Sequence, residues 1–239
     1  MAYQAIFKRC ELKYLLTKSQ KEILLEAMEP YMALDAYGHS LIRSLYFDTE
    51  SYRLIRRSIE RPAYKEKLRI RSYGRPDPAK PVFVELKKKY HSVVYKRRLA
   101  VAGEQEALAW LSGGEAPEDT QIAREIGYFQ NYYQPLRPAV YLSYEREAFY
   151  PYDGSDLRIT FDERIAARTQ MLLLESEPWG TPLLKPDGVL MEIKTAGGIP
   201  LWLSNLLTAQ KLYKSSFSKC GNAYQTMIYP QQKGCYKYA

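Results

Sequence analysis

Histidine is nearly missing from this chain of 239 residues, which carries only His39 and His91. That scarcity excludes a multi-histidine metal centre and leaves a histidine-based triad two isolated positions on which to rest. Any metal would be held by oxygen. Cysteine is almost as rare: Cys10, Cys220 and Cys235 are odd in number, widely spread and free of C-x-x-C spacing. Neither a disulfide framework nor a zinc knuckle is supported, and a reducing, cytoplasmic setting is expected. The richest aliphatic patch, "MLLL" at Met171 to Leu174, is far too short to span a bilayer, and no basic leader with an apolar run opens the sequence. Internal repeats and low-complexity linkers are absent too, so one domain over residues 1–239 is expected. "GG" at Gly197 and Gly198 is followed by Pro200 and not by G-K-[ST], which excludes a P-loop.

What is present is a foldable composition with a charge bias. Hydrophobic residues make up 46% and charged residues 26%, with a net charge of +8. A pI near 9.2 points to an anionic partner. Hydrophobic periodicity gives "AIFKRCELKYLL" as a strand, followed by an amphipathic helix "QKEILLEAMEPYM" opened by a capping box at Ser19 and Glu22. "SLIRSLYFDT" reads as a strand and "ESYRLIRRSI" as a short helix. "AYKEKLRIRSY", "PVFVELKKKY" and "SVVYKRRLAV" read as strands, the last two joined by a hairpin near His91. The helices "EQEALAWLSG" and "DTQIAREIGYFQNYY", the latter capped by Asp119, precede the strands "PAVYLSYEREAFY", "LRITFDERI" and "GVLMEIKT". The tail is helical. About eight strands in hairpin-like succession imply an α+β fold: a closed antiparallel β-barrel with helices packed outside.

Side chains alternate between the two faces of a strand, so "KLRIRSYG" lines one face with Lys67, Arg69 and Arg71 and the other with Leu68 and Ile70. The pattern recurs. Arg9, Glu11 and Lys13 share a face, as do Glu85, Lys87 and Lys89, Lys96 and Arg98, Arg158, Thr160 and Asp162, and Glu192 and Lys194. Arg146 shares its face with Val140, Leu142 and Tyr144, so only the far end of that one is polar. Lys88, Arg97 and Cys10 fall on the opposite faces, where Cys10 is expected to be inert against the core. A solvated sheet normally interleaves both signs, because like charges on neighbouring strands repel. Cations dominate here. If this face closes inward it forms a cation-lined tunnel that makes physical sense around a polyanion, with phosphates accepting bidentate hydrogen bonds from arginine. Glu11, Glu85 and Glu192 are then candidates for holding Mg²⁺ or Mn²⁺ against those phosphates, Glu192 foremost.

With these residues in place, the sequence resembles the triphosphate tunnel metalloenzymes, and within them the catalytic domain of the vacuolar transporter chaperone family, the polyphosphate polymerase branch. The similar stretches are "R-x-E-x-K-Y" at Arg9 to Tyr14, "LYFDT", "LRIRSYG", "VFVELKKKY", "KRR" at Lys96 to Arg98, "SYER", "RITFD", "MEIKT" and "FSK" at Phe217 to Lys219. The resemblance implies that Lys13, Arg69, Arg71, Lys87, Arg146, Arg158 and Lys219 grip phosphates, that Tyr144 and Ser218 add contacts, and that Glu192 binds the divalent metal. Arg9, Lys96, Arg98 and Lys194 complete the expected substrate-binding face. Arg9 stands where many members have the first Glu of an E-x-E-x-K signature, which favours the polymerase branch, and Ser216 replaces a basic residue before "FSK".

The implied activity is metal-dependent phosphoryl transfer. ATP places its triphosphate in the tunnel, Arg69, Arg71 and the metal polarise the γ-phosphate, and a phosphate chain grows by one unit. The alternatives are hydrolysis of triphosphate or polyphosphate, if water attacks, and a non-catalytic polyphosphate sensor. A membrane-protein partner that recruits the domain is a further expectation. No nucleic acid is expected, since the 22 tyrosines do not alternate with the cations in the manner of a stacking groove.

Overall fold

The computed structural model describes residues 10–60, 62–77, 80–91 and 93–235. Ten strands form one antiparallel sheet: β1 (Cys10–Thr17), β2 (Met32–Leu34), β3 (Ser40–Asp48), β4 (Tyr64–Tyr73), β5 (Val82–Tyr90), β6 (Val93–Val101), β7 (Arg137–Pro151), β8 (Arg158–Arg168), β9 (Thr181–Pro182) and β10 (Gly188–Thr195). Their order is β1-β10-β8-β7-β3-β4-β5-β6, with β2 added to β7 and β9 to β8. The helices are α1 (Lys18–Met28), α2 (Arg53–Ile59), α3 (Glu104–Leu111), α4 (Gln121–Tyr133), α5 (Leu201–Ala209), α6 (Lys219–Ala223) and α7 (Tyr229–Cys235). A π-helical turn at Tyr224–Ile228 joins the last two. The fold is α+β, as expected.

Local chemistry sets the element ends, with two small differences from the sequence reading. Thr17 caps α1 by accepting from the Gln20 N–H, and the Gln20 Oε1 accepts in turn from the Thr17 N–H, so the capping box lies two residues before the expected one. Thr120, and not Asp119, caps α4. Asp48 at the end of β3 accepts from the N–H groups of Thr49, Leu54 and Ile55, each at 2.8 Å, and so fixes the start of α2. "KLRIRSYG" ends β4 at Gly74, whose φ of +75° makes the turn a conformation suited to glycine.

Two apolar layers cover the convex side of the sheet. Leu45, Phe47, Leu68, Ile70, Val84, Leu86 and Leu99 pack against Trp110 of α3 and Ile126 and Phe129 of α4. Leu16, Ile159, Phe161, Met191 and Ile193 pack against Leu24 and Met28 of α1 and Leu203 and Leu207 of α5. Fully burying such a side chain contributes roughly 1.5–3 kcal/mol, so these layers decide which face of each strand turns inward. A third cluster, with Val140 and Leu142 against Ile55 of α2, Cys220 and Ala223 of α6 and Tyr224, fills one end of the other face. There Val140 and Leu142, expected to dilute the polar face, are part of a helical plug.

The expected closure is not found in the backbone ladder. Among the described residues β1 and β6 end the sheet. The free edge of β1 is taken instead by the segment after α5: the Ser215 N–H donates to the Lys13 carbonyl at 2.7 Å, and Tyr14 bridges to Lys214. Cys10, the first residue of β1, is exposed and not buried as its parity predicted, while Tyr14 and Leu16 of the same parity are buried: the apolar layer does not reach the start of the strand. No helix among the described residues is long and apolar enough to cross a membrane.

Candidate functional site

The sheet curls with its charged face inside. β1 and β5 stand six strand steps apart in the ladder, which in a flat sheet would separate them by about 29 Å. Yet the Lys87 Nζ on β5 lies 3.5 Å from the Glu11 Oε2 on β1. Strand register then stacks the cations. Lys67 pairs with Lys87, Arg69 with Glu85, Lys87 with Lys96 and Glu85 with Arg98. On the far side Lys13 pairs with Glu192, Glu11 with Lys194, Glu192 with Thr160 and Lys194 with Arg158.

Two ionic centres organise this face. At the first, the Glu85 carboxylate, 1% exposed, is enclosed by cations: Arg69 at 2.6 Å, Lys96 at 2.7 Å, Arg98 at 2.5 Å and Arg71 at 3.8 Å. Burial pushes the Glu85 carboxyl upward, but these four cations hold it well below the usual carboxylate range. Arg69 also donates through Nη1 to the Tyr46 hydroxyl at 2.6 Å, and Arg71 donates to Ser44 at 3.2 Å and to the Tyr144 hydroxyl at 3.1 Å. The guanidinium planes are therefore fixed before any ligand arrives.

The second centre joins Glu192 and Asp162. Arg146 donates to both Asp162 oxygens at 2.6 and 2.7 Å and lies 3.5 Å from Glu192. Lys219, at the start of α6, bridges Asp162 at 2.5 Å and Glu192 at 3.2 Å. Lys194 sits 2.7 Å from Glu192, and Lys13 lies 3.7 Å from it while also pairing with Glu11 at 3.2 Å. Burial again raises the Glu192 and Asp162 carboxyls, and the surrounding cations more than reverse it. Glu11 is likewise depressed, against burial, mainly by Lys87. A register shift between β7 and β8 at Ser143 to Glu145 leaves Tyr144 without a partner on β8, while it still pairs with Ile42 of β3, and its ring centroid lies 4.6 Å from the Lys219 Nζ. Burial would raise the Tyr144 phenol, but Arg71, Arg146 and Lys219 pull it below its ordinary value.

Some polar atoms on this face have no protein partner. The Arg158 Nε and the Thr160 Oγ1 are buried without a hydrogen bond, on the strand beside Glu192. A buried polar atom costs about 1–3 kcal/mol when left unpaired; of the four such atoms among the described residues, these two lie on the charged face, and the Arg43 Nε and the Tyr141 hydroxyl lie on the other. The Arg158 guanidinium instead rests 4.9 Å from the Tyr150 ring centroid.

The structure thus gathers Glu11, Lys13, Arg69, Arg71, Glu85, Lys87, Lys96, Arg98, Tyr144, Arg146, Arg158, Glu192, Lys194 and Lys219 on one curled face, with Ser218 bound to Lys67 at its edge. Arg9 lies outside the described residues. Lys88 and Arg97 point away and pair with Glu66 and with Glu125 of α4. The three metal candidates separate. Glu85 is the most tightly enclosed, its two oxygens lying within 2.7 Å of Arg69, Lys96 and Arg98. Glu192, paired with Lys194 at 2.7 Å and Lys219 at 3.2 Å, and Glu11, paired with Lys13 at 3.2 Å and Lys87 at 3.5 Å, are held less tightly, and as hard oxygen donors they suit Mg²⁺ or Mn²⁺, ions held through one or two carboxylates plus substrate phosphates. No group of three or more His, Cys, Asp or Glu side chains among the described residues forms an all-protein cage.

Sequence reasoning left four residues of this face without a role: Asp162, Thr160, Lys67 and Tyr46. Asp162 and Thr160 share the parity of Arg158, and Lys67 that of Arg69, so the signal was present for these three. Tyr46 had none: its strand "SLIRSLYFD" carries no charge alternation on that face. A separate cleft of about 710 Å³ lies between α3 and α4, lined in part by Trp110, Arg124 and Gln134, and holds none of the expected site residues.

Comparison with known proteins agrees with this geometry. The family model of the VTC domain matches residues 8–228. A Bacillus halodurans protein described as a candidate adenylate cyclase superposes with a TM-score of 0.57 at 16% identity, covering 94% of this chain and all of its own. A Hippeastrum protein, described as a candidate adenylyl cyclase with a dominant triphosphatase activity, superposes with a TM-score of 0.54 at 20% identity, covering 88% of this chain and 92% of its own. At these identities the likeness is one of fold. A sequence search of curated proteins finds no significant match.

Proposed function

The chain belongs to the VTC domain family, and on that premise we propose that it is a metal-dependent phosphotransferase that extends inorganic polyphosphate from the γ-phosphate of ATP. The observation that carries this reading is the set of cations exceeding the carboxylates on the curled face, together with the unpartnered Arg158 Nε and Thr160 Oγ1. A buried cationic surface with open donors is complementary to a chain of phosphates and to little else of this size. In this reading the whole of residues 1–239 serves as one tunnel domain.

Each residue then has a task. Arg69 and Arg71, held by Glu85, Tyr46, Ser44 and Tyr144, keep their guanidinium groups aimed without reorganisation as charge develops on the transferred group. Lys87, Arg146 and Arg158 neutralise the phosphate oxygens, and Lys13, Lys96, Arg98, Tyr144, Lys194, Ser218 and Lys219 hold the rest of the chain, with Arg9 expected among them. A divalent cation on Glu192, with Glu11 adjacent, would supply Lewis-acid polarisation of the phosphates. Protein groups position the acceptor oxygen of the chain end in line with the γ-phosphorus, ADP leaves, and the chain lengthens by one phosphate. Water in place of the chain end turns the same site into a triphosphatase. Family membership favours the polymer, and recruitment by a membrane-protein partner fits the same reading.

The test is product identity. Incubation with ATP and Mn²⁺ is expected to yield ADP and phosphate chains resolved on a gel, and Glu192→Gln to lower the rate at least a hundredfold, the order seen when a charge-stabilising group is lost. Free phosphate as the sole product would replace the polymerase by the hydrolase. Full activity of Glu192→Gln would remove Glu192 from its assigned place.

A further inference from the structure

Lys67 stands apart from the other cations of the curled face. It lies on β4 directly opposite Lys87, a like charge across the ladder, an arrangement that is destabilising unless something intervenes. Lys87 has Glu11, Lys96 has Glu85, and Lys219 has Asp162, but among the described residues no carboxylate forms an ion pair with Lys67. Its hydrogen bond is to the Ser218 hydroxyl, at 3.4 Å. That hydroxyl already accepts from the Gly221 N–H at 3.2 Å as the cap of α6. With two donors aimed at its oxygen, the Ser218 proton is directed elsewhere and is free for an acceptor.

The groups facing Lys67 are Lys87 from β5, Lys13 from β1, Lys65 from its own strand, and Ser218 and Cys220 from the α6 end. Burial is the main influence and lowers the ammonium to about 8, with Lys87, Lys13 and Lys65 acting in the same direction and Cys220 opposing. A partly buried ammonium with cationic neighbours and, among the described residues, one long hydrogen bond is poorly compensated.

Resting on the phosphate-chain reading above, we propose that Lys67, with Ser218 beside it, is a further phosphate-binding residue whose counter-ion is the ligand itself, so that a share of the proton uptake on anion binding belongs to this amine. The ligand class is an inorganic polyphosphate, with the shortest adequate probe being tripolyphosphate. A phosphate oxygen there accepts from the Lys67 ammonium and the Ser218 hydroxyl together and removes the Lys67–Lys87 repulsion. Its arrival draws a proton from solvent when the pH lies above 8, where much of the free amine is neutral.

Titration calorimetry of the full chain with tripolyphosphate, at pH 7 and pH 9 in two buffers of different ionisation enthalpy, tests this. The parent is expected to take up protons at pH 9, Lys67→Met to bind about tenfold more weakly at pH 7, as for loss of a charge-assisted hydrogen bond, and Lys67→Arg to bind well with that share of proton uptake removed. Without ligand, Lys67→Met is expected to melt no lower than the parent, because it removes a charge the protein does not pair; this separates lost binding from lost folding. Parent binding with Lys67→Met equal to it in affinity and proton uptake overturns the inference alone. No tripolyphosphate binding by the parent overturns the inference and the functional reading together.

Discussion

Replacing Glu85 by Gln tests whether the first ionic centre is held by one carboxylate. Glu85 is 1% exposed, and its partners divide by depth: Arg69 and Arg71 are 17% and 8% exposed, Lys96 and Arg98 41% and 34%. Removing one member of a buried pair costs about 3–5 kcal/mol, because the remaining charge is left uncompensated. The outer pairs are screened and add roughly 0–1 kcal/mol each. The loss is therefore dominated by Arg69, at about 3–5 kcal/mol. For a chain of this size each kcal/mol shifts the melting temperature by about 2–4 °C, so a fall on the order of 10 °C is expected. Thermal unfolding followed by circular dichroism at pH 7 gives the readout, repeated with tripolyphosphate. The uncompensated arginines should then take phosphate as their counter-ion, so the anion is expected to stabilise Glu85→Gln more than the parent. A variant melting within about 1 °C of the parent, with an equal response to the anion, would refute the view that Glu85 organises these cations.

Two further outcomes follow from the same charges. Glu11, Glu85, Asp162 and Glu192 are all held below their ordinary values of 3.8 to 4.5 in the folded chain. Their contribution is complete above that range and is lost as pH falls through it towards the depressed folded values, because the unfolded chain then binds more protons. Melting temperatures should therefore drop steeply below about pH 4.5, a slope that Glu85→Gln should reduce and whose absence would contradict the ion-pair assignments. Thr160→Val should keep or raise the melting temperature by removing an unpaired buried hydroxyl, while weakening tripolyphosphate binding several-fold, and Arg158→Ala should weaken binding further. Unchanged affinity in both would show that the open donors of β8 do not meet the ligand.

The polar face was legible because alternation is a local property. Lys67, Arg69 and Arg71 share a side whatever the rest of the chain does, and the apolar residues between them, Leu68 and Ile70, had to find the core. The same rule placed Lys88 and Arg97 outside, and it failed for Cys10 because parity says nothing about how far along a strand the core extends, so Tyr14 and Leu16 are buried and the first residue of β1 is not. Helix ends shifted by one or two residues where a neighbouring threonine offered the better cap, as at Thr17 and Thr120. The metal candidates were named from residue type and face alone, which could not show how closely cations hold each carboxylate, Glu85 the most tightly.

By itself the sequence determined which side chains share a face, the surplus of positive charge, the α+β class and the motifs of the family. Those follow from period-two geometry and composition, which act over a few residues at a time. Only the tertiary structure decided that the charged face turns inward, that β1 gives its edge to the segment at Lys214 instead of closing on β6, and which cation meets which carboxylate. Ion pairs such as Lys87 with Glu11 or Lys219 with Asp162 join residues far apart in the chain, and their partners are set by sheet curl and strand register, which no local pattern encodes.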